Sequence, residues 1–184
     1  SHWAVHNPLQ ALKSDVEQMS HMPGHNLQVY SGMIAALDRS VGKVVAKLKD
    51  LEIHGKTLII FTSDNGGANY IELEDINKPY RGWKISFFEG GIRVPYIISW
   101  PDEINPGQKS DNPVHHFDIF STIASAAKIK PSNHKEIDGV NLLPYIKKEI
   151  ASKPHQTLFW RSGNHQSVLH GKWKYIISKK ENLR

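Results

Sequence analysis

An adjacent carboxylate and carboxamide, Asp64-Asn65, followed at once by Gly66-Gly67, carry the clearest chemical signal in this chain of 184 residues. Both side chains offer hard oxygen donors, which Ca²⁺ or Mg²⁺ takes in preference to imidazole or thiolate. The double glycine removes side-chain bulk and lets backbone and ligand approach closely. Two ligands do not complete such a site. Ca²⁺ takes about six to eight oxygens, so further carboxylates, a substrate or waters must supply the rest. Asp-Asn-Gly is also a common turn sequence, and in isolation the turn is the stronger reading. Position favours chemistry, however. Thr57-Leu58-Ile59-Ile60-Phe61-Thr62 is a short apolar run without polar alternation, as in a strand covered on both faces of a parallel sheet. In open α/β sheets ligands bind beyond the carboxyl ends of the strands, which is where Asp64 and Asn65 stand.

Downstream, Arg81-Gly82-Trp83-Lys84 and Glu89-Gly90-Gly91-Ile92-Arg93-Val94-Pro95 form a glycine-rich connection into a second apolar run, Tyr96-Ile97-Ile98-Ser99-Trp100. The order of strand, Ser-Asp-Asn-Gly-Gly, Arg-Gly-x-Lys and Glu-Gly-Gly-Ile-Arg-Val-Pro resembles the type I sulfatase family of the alkaline-phosphatase-like superfamily. Several separate blocks in one order are a poor match for chance. The opening Val5-His6-Asn7-Pro8-Leu9-Gln10-Ala11 is similar to the His-x-Pro block of the same family. The resemblance implies that Asp64 and Asn65 are two of the ligands of a divalent cation, usually Ca²⁺ with Mg²⁺ as a substitute, that polarises a sulfate ester. It implies that Lys84 touches the sulfate, presenting a point charge with three donors. It implies too that His6 hydrogen-bonds the sulfate or its leaving oxygen, where a histidine can act as a general acid near neutrality. Arg81 and Arg93 read as pins of the loop, and Glu89 as scaffold.

By the same resemblance the nucleophile is a formylglycine, made from the Cys or Ser of a Cys/Ser-x-Pro/Ala-x-Arg block. The chain has no cysteine and no such serine block. In the family that block, a paired-aspartate half of the metal site and a further lysine lie upstream of the His-x-Pro segment. The expectation is therefore the C-terminal portion of an enzyme that hydrolyses sulfate esters of a carbohydrate or an aryl alcohol, with these 184 residues inactive by themselves. Turnover of an aryl sulfate by them alone would overturn that expectation. Two other readings stand beside it. A phosphatase or phosphonate hydrolase of the same superfamily generally holds two zinc or manganese ions with additional His and Asp ligands, and the Asp-Asn pair favours the single-cation sulfatase over it. A non-catalytic module would keep the fold and bind polyanions.

These residues need a scaffold, and the spacing of apolar residues outlines one. Tyr30, Met33, Ile34, Leu37, Val41, Val44, Val45 and Leu48 recur as on a helix with one buried face, with Gly55 placed to turn the chain into the strand. Phe117, Phe120, Ile123, Ala124 and Ala127 mark a second helix. Leu142 to Ile146 reads as a helical turn and Ser152-Lys153-Pro154 as a linker. After it, Thr157 to Trp160, Ser167 to Leu169 and Lys172 to Ile177 read as strands, with Trp173, Tyr175 and Ile177 on one face. The fold class expected is α/β: part of a mixed, mostly parallel sheet flanked by helices, alkaline-phosphatase-like, with the start of a small C-terminal antiparallel sheet. Residues 1–154 fall to the catalytic domain and 155–184 to that smaller subdomain. The His115-His116 pair lacks the companion ligands of a zinc site, and Pro23-Gly24 argues against a helix that would align His21 with His25.

Hydrophobic residues make up 39% of the chain, a globular rather than a disordered composition. No run approaches the roughly eighteen apolar residues of a membrane span. A formal charge of +5 favours polyanionic partners. The basic residues are spread along the chain without a nucleic-acid-binding signature, so the partner expected is a sulfated small molecule or glycan rather than nucleic acid. Family members are mostly exported or lysosomal, which implies a periplasmic, extracellular or lysosomal setting.

Overall fold

The recurring apolar residues after Asn26 fold as one long helix, α2 (His25–Asp50), in a computed structural model that describes residues 2–73, 75–130 and 136–177. The chain divides into two units. One comprises the residues up to His54 together with Ser63–Pro95, the other Gly55–Thr62 together with the chain from Tyr96 onward.

In the first unit Gly24 stands before α2 with φ 80, so His25 starts the helix and His21 lies outside it. The helix ends where Glu52 turns left-handed at φ 55. The Ile53 and His54 amides then donate back to the Leu48 carbonyl at 3.0 and 3.1 Å, satisfying an acceptor that a helix end leaves open. Glu52 thus makes the reversal that the sequence suggested for Gly55. Burial on α2 centres on Val29, Gly32 and Met33. A short preceding helix, α1 (Lys13–Gln18), packs there, and its buried Asp15 accepts a hydrogen bond from Arg39 of α2 at 2.7 Å. With six residues, α1 covers only part of α2. Ile34 and Val44, which spacing assigned to the core, are 46% and 54% exposed.

In the second unit β1 (Ile59–Thr62) pairs with β2 (Tyr96–Ser99), antiparallel, with Ile59 opposite Ser99 and Thr62 opposite Tyr96. All four residues of β1 are half-buried. The described residues therefore do not display the mostly parallel sheet, or the full cover on both faces, that the apolar run suggests. The antiparallel sheet near the C-terminus does appear. It is formed by β3 (Thr157–Ser162), β4 (His165–His170) and β5 (Trp173–Ile177) in sequential order. Leu158 and Ser167 point to its buried face, whereas Phe159, Trp173 and Tyr175 are exposed.

The helix α4 (Asp118–Ala126) is rotated from the side its apolar spacing selects, keeping Ala124 of that stripe buried. Asp118 and Thr122 are fully buried, while Phe120 and Ile123 are 59% and 49% exposed. The reason lies in the backbone that packs against it. Amides of His115 and Val140 donate to the Asp118 carboxylate at 2.8 and 3.0 Å, and that of Leu142 donates to the Thr122 hydroxyl at 3.0 Å. Leu142 leads into α5 (Leu143–Ile146). His155 completes the set, its Nε2 lying 2.8 Å from an Asp118 oxygen. Buried carboxylates persist only with such partners.

The Tyr96 hydroxyl is buried and has no hydrogen-bond partner among the described residues. Burial, and secondarily the Asp118 charge, push its phenol up to about 12. The unfolded group titrates near ~10, so the folded state binds this proton more tightly. The resulting stabilisation is complete below that unfolded value and is lost as pH rises through the folded one. A phenolate absorbance titration is expected to show a tyrosine ionising near 12 that vanishes in Tyr96→Phe. A titration identical in wild type and variant would contradict the burial of this hydroxyl.

Candidate functional site

Immediately after β1 the chain enters a turn that its own short side chains shape. The Ser63 hydroxyl donates to the Asn65 carbonyl at 2.9 Å, and Asn65 Nδ2 donates to the Gly66 carbonyl at 2.9 Å. With its amide nitrogen so used, Asn65 keeps Oδ1 as an acceptor. Asp64 is exposed, and no hydrogen bond or ion pair engages its carboxylate among the described residues. The turn is anchored from behind by the Gly66 amide, which donates to the Gly91 carbonyl at 2.9 Å within a single helical turn, α3 (Glu89–Ile92). The two backbones touch here. A Cβ on Gly66 would lie 1.7 Å from the Gly90 carbonyl oxygen, which explains why glycines meet at this point.

Lys84 is tied to the same turn through its main chain, its amide donating to the Gly67 carbonyl at 3.0 Å. Its ammonium reaches His6, with Nζ 3.2 Å from Nε2, across a sequence separation of 78 residues. The imidazole's state follows from its two partners. Nδ1 lies 2.7 Å from the Asn7 carbonyl oxygen, which can only accept, so Nδ1 carries the proton. An ammonium can only donate, so in this contact Nε2 is the acceptor. The residue after Lys84, Ile85, adopts φ 81, a conformation costly for a β-branched side chain. Ser86 braces this segment, its amide and hydroxyl both donating to the Trp83 carbonyl at 3.0 and 2.8 Å.

One contributor escaped the motif reading. The Asn77 carboxamide accepts from the Gly67 amide at 2.8 Å and donates to the carbonyls of Gly67 and Gly82 at 3.0 and 3.1 Å. It thereby links the turn carrying Asp64 and Asn65 to the segment carrying Lys84. The only hint in the sequence is a half-polar Asn-Lys-Pro that any loop could contain.

The remaining sequence candidates divide by unit. In the first, the Arg81 guanidinium lies 4.3 Å from the centre of the Phe88 ring. Arg93 lies 4.8 Å from that of Tyr80 and 3.6 Å from the Glu89 carboxylate. Such contacts fix a loop. Trp83 is 43% exposed beside Lys84. In the second unit, His116 Nε2 is 3.1 Å from the Thr62 hydroxyl, and His115 stacks on Phe117 with ring centres 3.9 Å apart. Burial first, then the neighbouring His116, hold the His115 imidazole below its usual pKa. No group of three or more His, Cys, Asp or Glu capable of holding a metal occurs among the described residues.

The donor set beside Lys84 accordingly suits an oxygen-seeking cation in part. A free carboxylate and an amide oxygen from consecutive residues match the preference of Ca²⁺ or Mg²⁺, and they leave most of the coordination shell to groups from elsewhere.

The family described as Sulfatase matches residues 1–129, and that described as N-sulphoglucosamine sulphohydrolase, C-terminal, matches residues 82–182. Steryl-sulfatase of Homo sapiens is 35% identical over 166 residues, covering 86% of this chain and 27% of the relative. N-acetylgalactosamine-6-sulfatase of Sus scrofa is 37% identical over 138 residues, covering 73% of this chain and 26% of the relative. The chain thus spans about a quarter of the length of these curated relatives. Among solved structures, Ps i-CgsB in complex with k-i-k-neocarrahexaose superposes with TM-score 0.85 at 32% identity, over 98% of this chain and 40% of that one.

Proposed function

The chain belongs to the sulfatase family, and from that premise we propose that it forms the C-terminal portion of an enzyme hydrolysing sulfate esters, with Asp64, Asn65, Lys84 and His6 in its active site. The observation that carries this reading is the contact between Lys84 and His6 at 3.2 Å, made beside the turn that presents Asp64 and Asn65. Each residue contributes a different part. Asp64 and Asn65 hold Ca²⁺, or Mg²⁺ in its place, which when bound draws charge from the ester oxygens. Lys84 spends one donor on His6 and keeps two for sulfate oxygens, fixed in direction before substrate arrives. His6, its Nδ1–H held by the Asn7 carbonyl, steadies the Lys84 ammonium while Nε2 accepts from it; to serve as general acid toward the leaving oxygen, Nε2 gives up that contact and takes a proton.

The nucleophile belongs to residues outside this sequence, in keeping with the share of the relatives that the chain spans, and the family resemblance makes it a formylglycine. The same reading assigns residues 1–154 to the catalytic domain, built on a mostly parallel sheet that the rest of that domain completes, and 155–184 to the C-terminal subdomain. The substrate class is a sulfated glycan or sulfated small molecule. A net charge of +5 supports a polyanion, as does the likeness to the neocarrahexaose complex. The setting is periplasmic, extracellular or lysosomal. No helix among the described residues is long and apolar enough to cross a membrane.

The test is hydrolysis by the intact enzyme of an aryl sulfate and of sulfated oligosaccharides, before and after chelation. Activity is expected to disappear with chelator and to return with Ca²⁺. Faster turnover of the corresponding phosphate ester, restored by zinc or manganese, would support the phosphatase reading instead. Binding of sulfated glycan with no turnover would support the non-catalytic module.

A further inference from the structure

We propose that Asn77 is a positioning residue that sets the distance between the metal-holding turn and Lys84, an inference that rests on the active site assigned above. Its carboxamide is engaged on both sides. Oδ1 accepts from the Gly67 amide at 2.8 Å, while Nδ2 donates to the carbonyls of Gly67 and Gly82 at 3.0 and 3.1 Å. Three of the four hydrogen bonds available to a carboxamide are thus made, and all three go to main chain. Gly67 lies two residues beyond Asn65, and Gly82 two residues before Lys84. The Lys84 amide meets the same Gly67 carbonyl at 3.0 Å, so this carbonyl receives both the Asn77 amide and the Lys84 main chain. Gly82 turns at φ +89 and Ile85 at φ 81. A segment that holds a β-branched residue at positive φ, as here Ile85, keeps it only when its surroundings over-determine it, and Asn77 is the side chain that joins this segment to the turn. Asn77 touches neither sulfate nor cation in this reading. It acts through Lys84.

An isosteric carboxylate separates holding from filling. Asn77→Asp preserves shape and the acceptor for the Gly67 amide, but it loses both donated bonds and sets an anion against two carbonyl oxygens. In the intact enzyme, Asn77→Asp is expected to lower kcat by about 30- to 100-fold with KM changed less than about threefold, because small misplacement of a catalytic group is costly. In a Lys84→Ala background the same substitution is expected to change kcat less than about threefold, since the group it positions is gone. Amide exchange at Gly67 and Lys84 is expected to rise at least about tenfold in the variant, with protection elsewhere retained.

A kcat within about threefold of wild type, or an undiminished loss in the Lys84→Ala background, would overturn the proposal by the measure of non-additivity. Should Asn77→Asp not fold, exchange in the wild-type enzyme decides: a Gly67 amide exchanging as fast as an open loop overturns it, and a protected one supports it. Failure of the sulfatase reading is distinguishable, because an enzyme that hydrolyses no sulfate ester leaves the exchange result standing. An active enzyme with additive substitutions removes the role of Asn77 alone.

Discussion

Lys84→Ala in the intact enzyme is expected to lower kcat by about 10²- to 10³-fold, the loss that follows removal of one fixed donor facing developing charge. The geometry explains why this lysine should act as a fixed donor and not as a wandering surface charge. Its main chain is pinned to the Gly67 carbonyl at 3.0 Å, and its ammonium is held 3.2 Å from an imidazole nitrogen that accepts in this contact. The charge is therefore oriented before substrate binds, and little reorganisation remains for the reaction step. Lys84→Arg should not restore the rate, since a planar guanidinium cannot take the place of a compact ammonium between His6 and a tetrahedral sulfate. Thermal stability should change little, because the Lys84–His6 contact is exposed and such contacts contribute about 1 kcal/mol or less. Steady-state kinetics on a sulfate ester, paired with a melting curve, checks both parts. A kcat equal to wild type would remove Lys84 from the mechanism.

Much of the candidate site was legible in the sequence because its residues sit in runs whose order is itself distinctive. Asp64-Asn65 follow an apolar strand, and Lys84 sits inside a glycine-rich block. The meeting of His6 with Lys84 was not derivable from either segment, since it depends on how residues far apart in the chain are folded together. Asn77 was missed for a different reason. Its work is done on backbone groups of glycines, and such contacts leave no partner side chain to recognise. Helix existence was readable from period alone, as α2 illustrates, but helix orientation was not. On α4 the backbone's need for acceptors placed Asp118 and Thr122 inside and left Phe120 and Ile123 exposed, so hydrogen-bond satisfaction overrode hydrophobic spacing. The apolar run of β1 suggested parallel neighbours, whereas the partner observed is β2, antiparallel. Composition registers that a strand is apolar, and says nothing of which strand lies beside it.

The second large effect expected is steric. Gly66→Ala would place a methyl carbon 1.7 Å from the Gly90 carbonyl oxygen and 3.1 Å from the Gly91 Cα, and both obstacles are main chain. A flexible side chain could swing aside, but backbone can yield only by parting the two segments, which breaks the Gly66 amide's bond to the Gly91 carbonyl at 2.9 Å. Overpacking of this kind typically costs about 1–3 kcal/mol and at times more, and a contact of main chain with main chain belongs at the upper end. The turn that displays Asp64 and Asn65 would shift with it, so, on the proposed cation site, Ca²⁺ affinity is expected to fall at least about tenfold although neither proposed ligand has been altered. Gly42→Ala supplies the contrast. It lies within α2 with nothing within 4 Å of its added carbon, and there alanine should stabilise by about 0.5–1 kcal/mol. One chemical change therefore has opposite signs at two positions, depending only on what faces the missing Cβ. Melting curves and calcium titrations of both variants decide the matter. A Gly66→Ala protein with wild-type stability and calcium affinity would mean that the two glycine segments are not in contact, and that the turn is not held from α3.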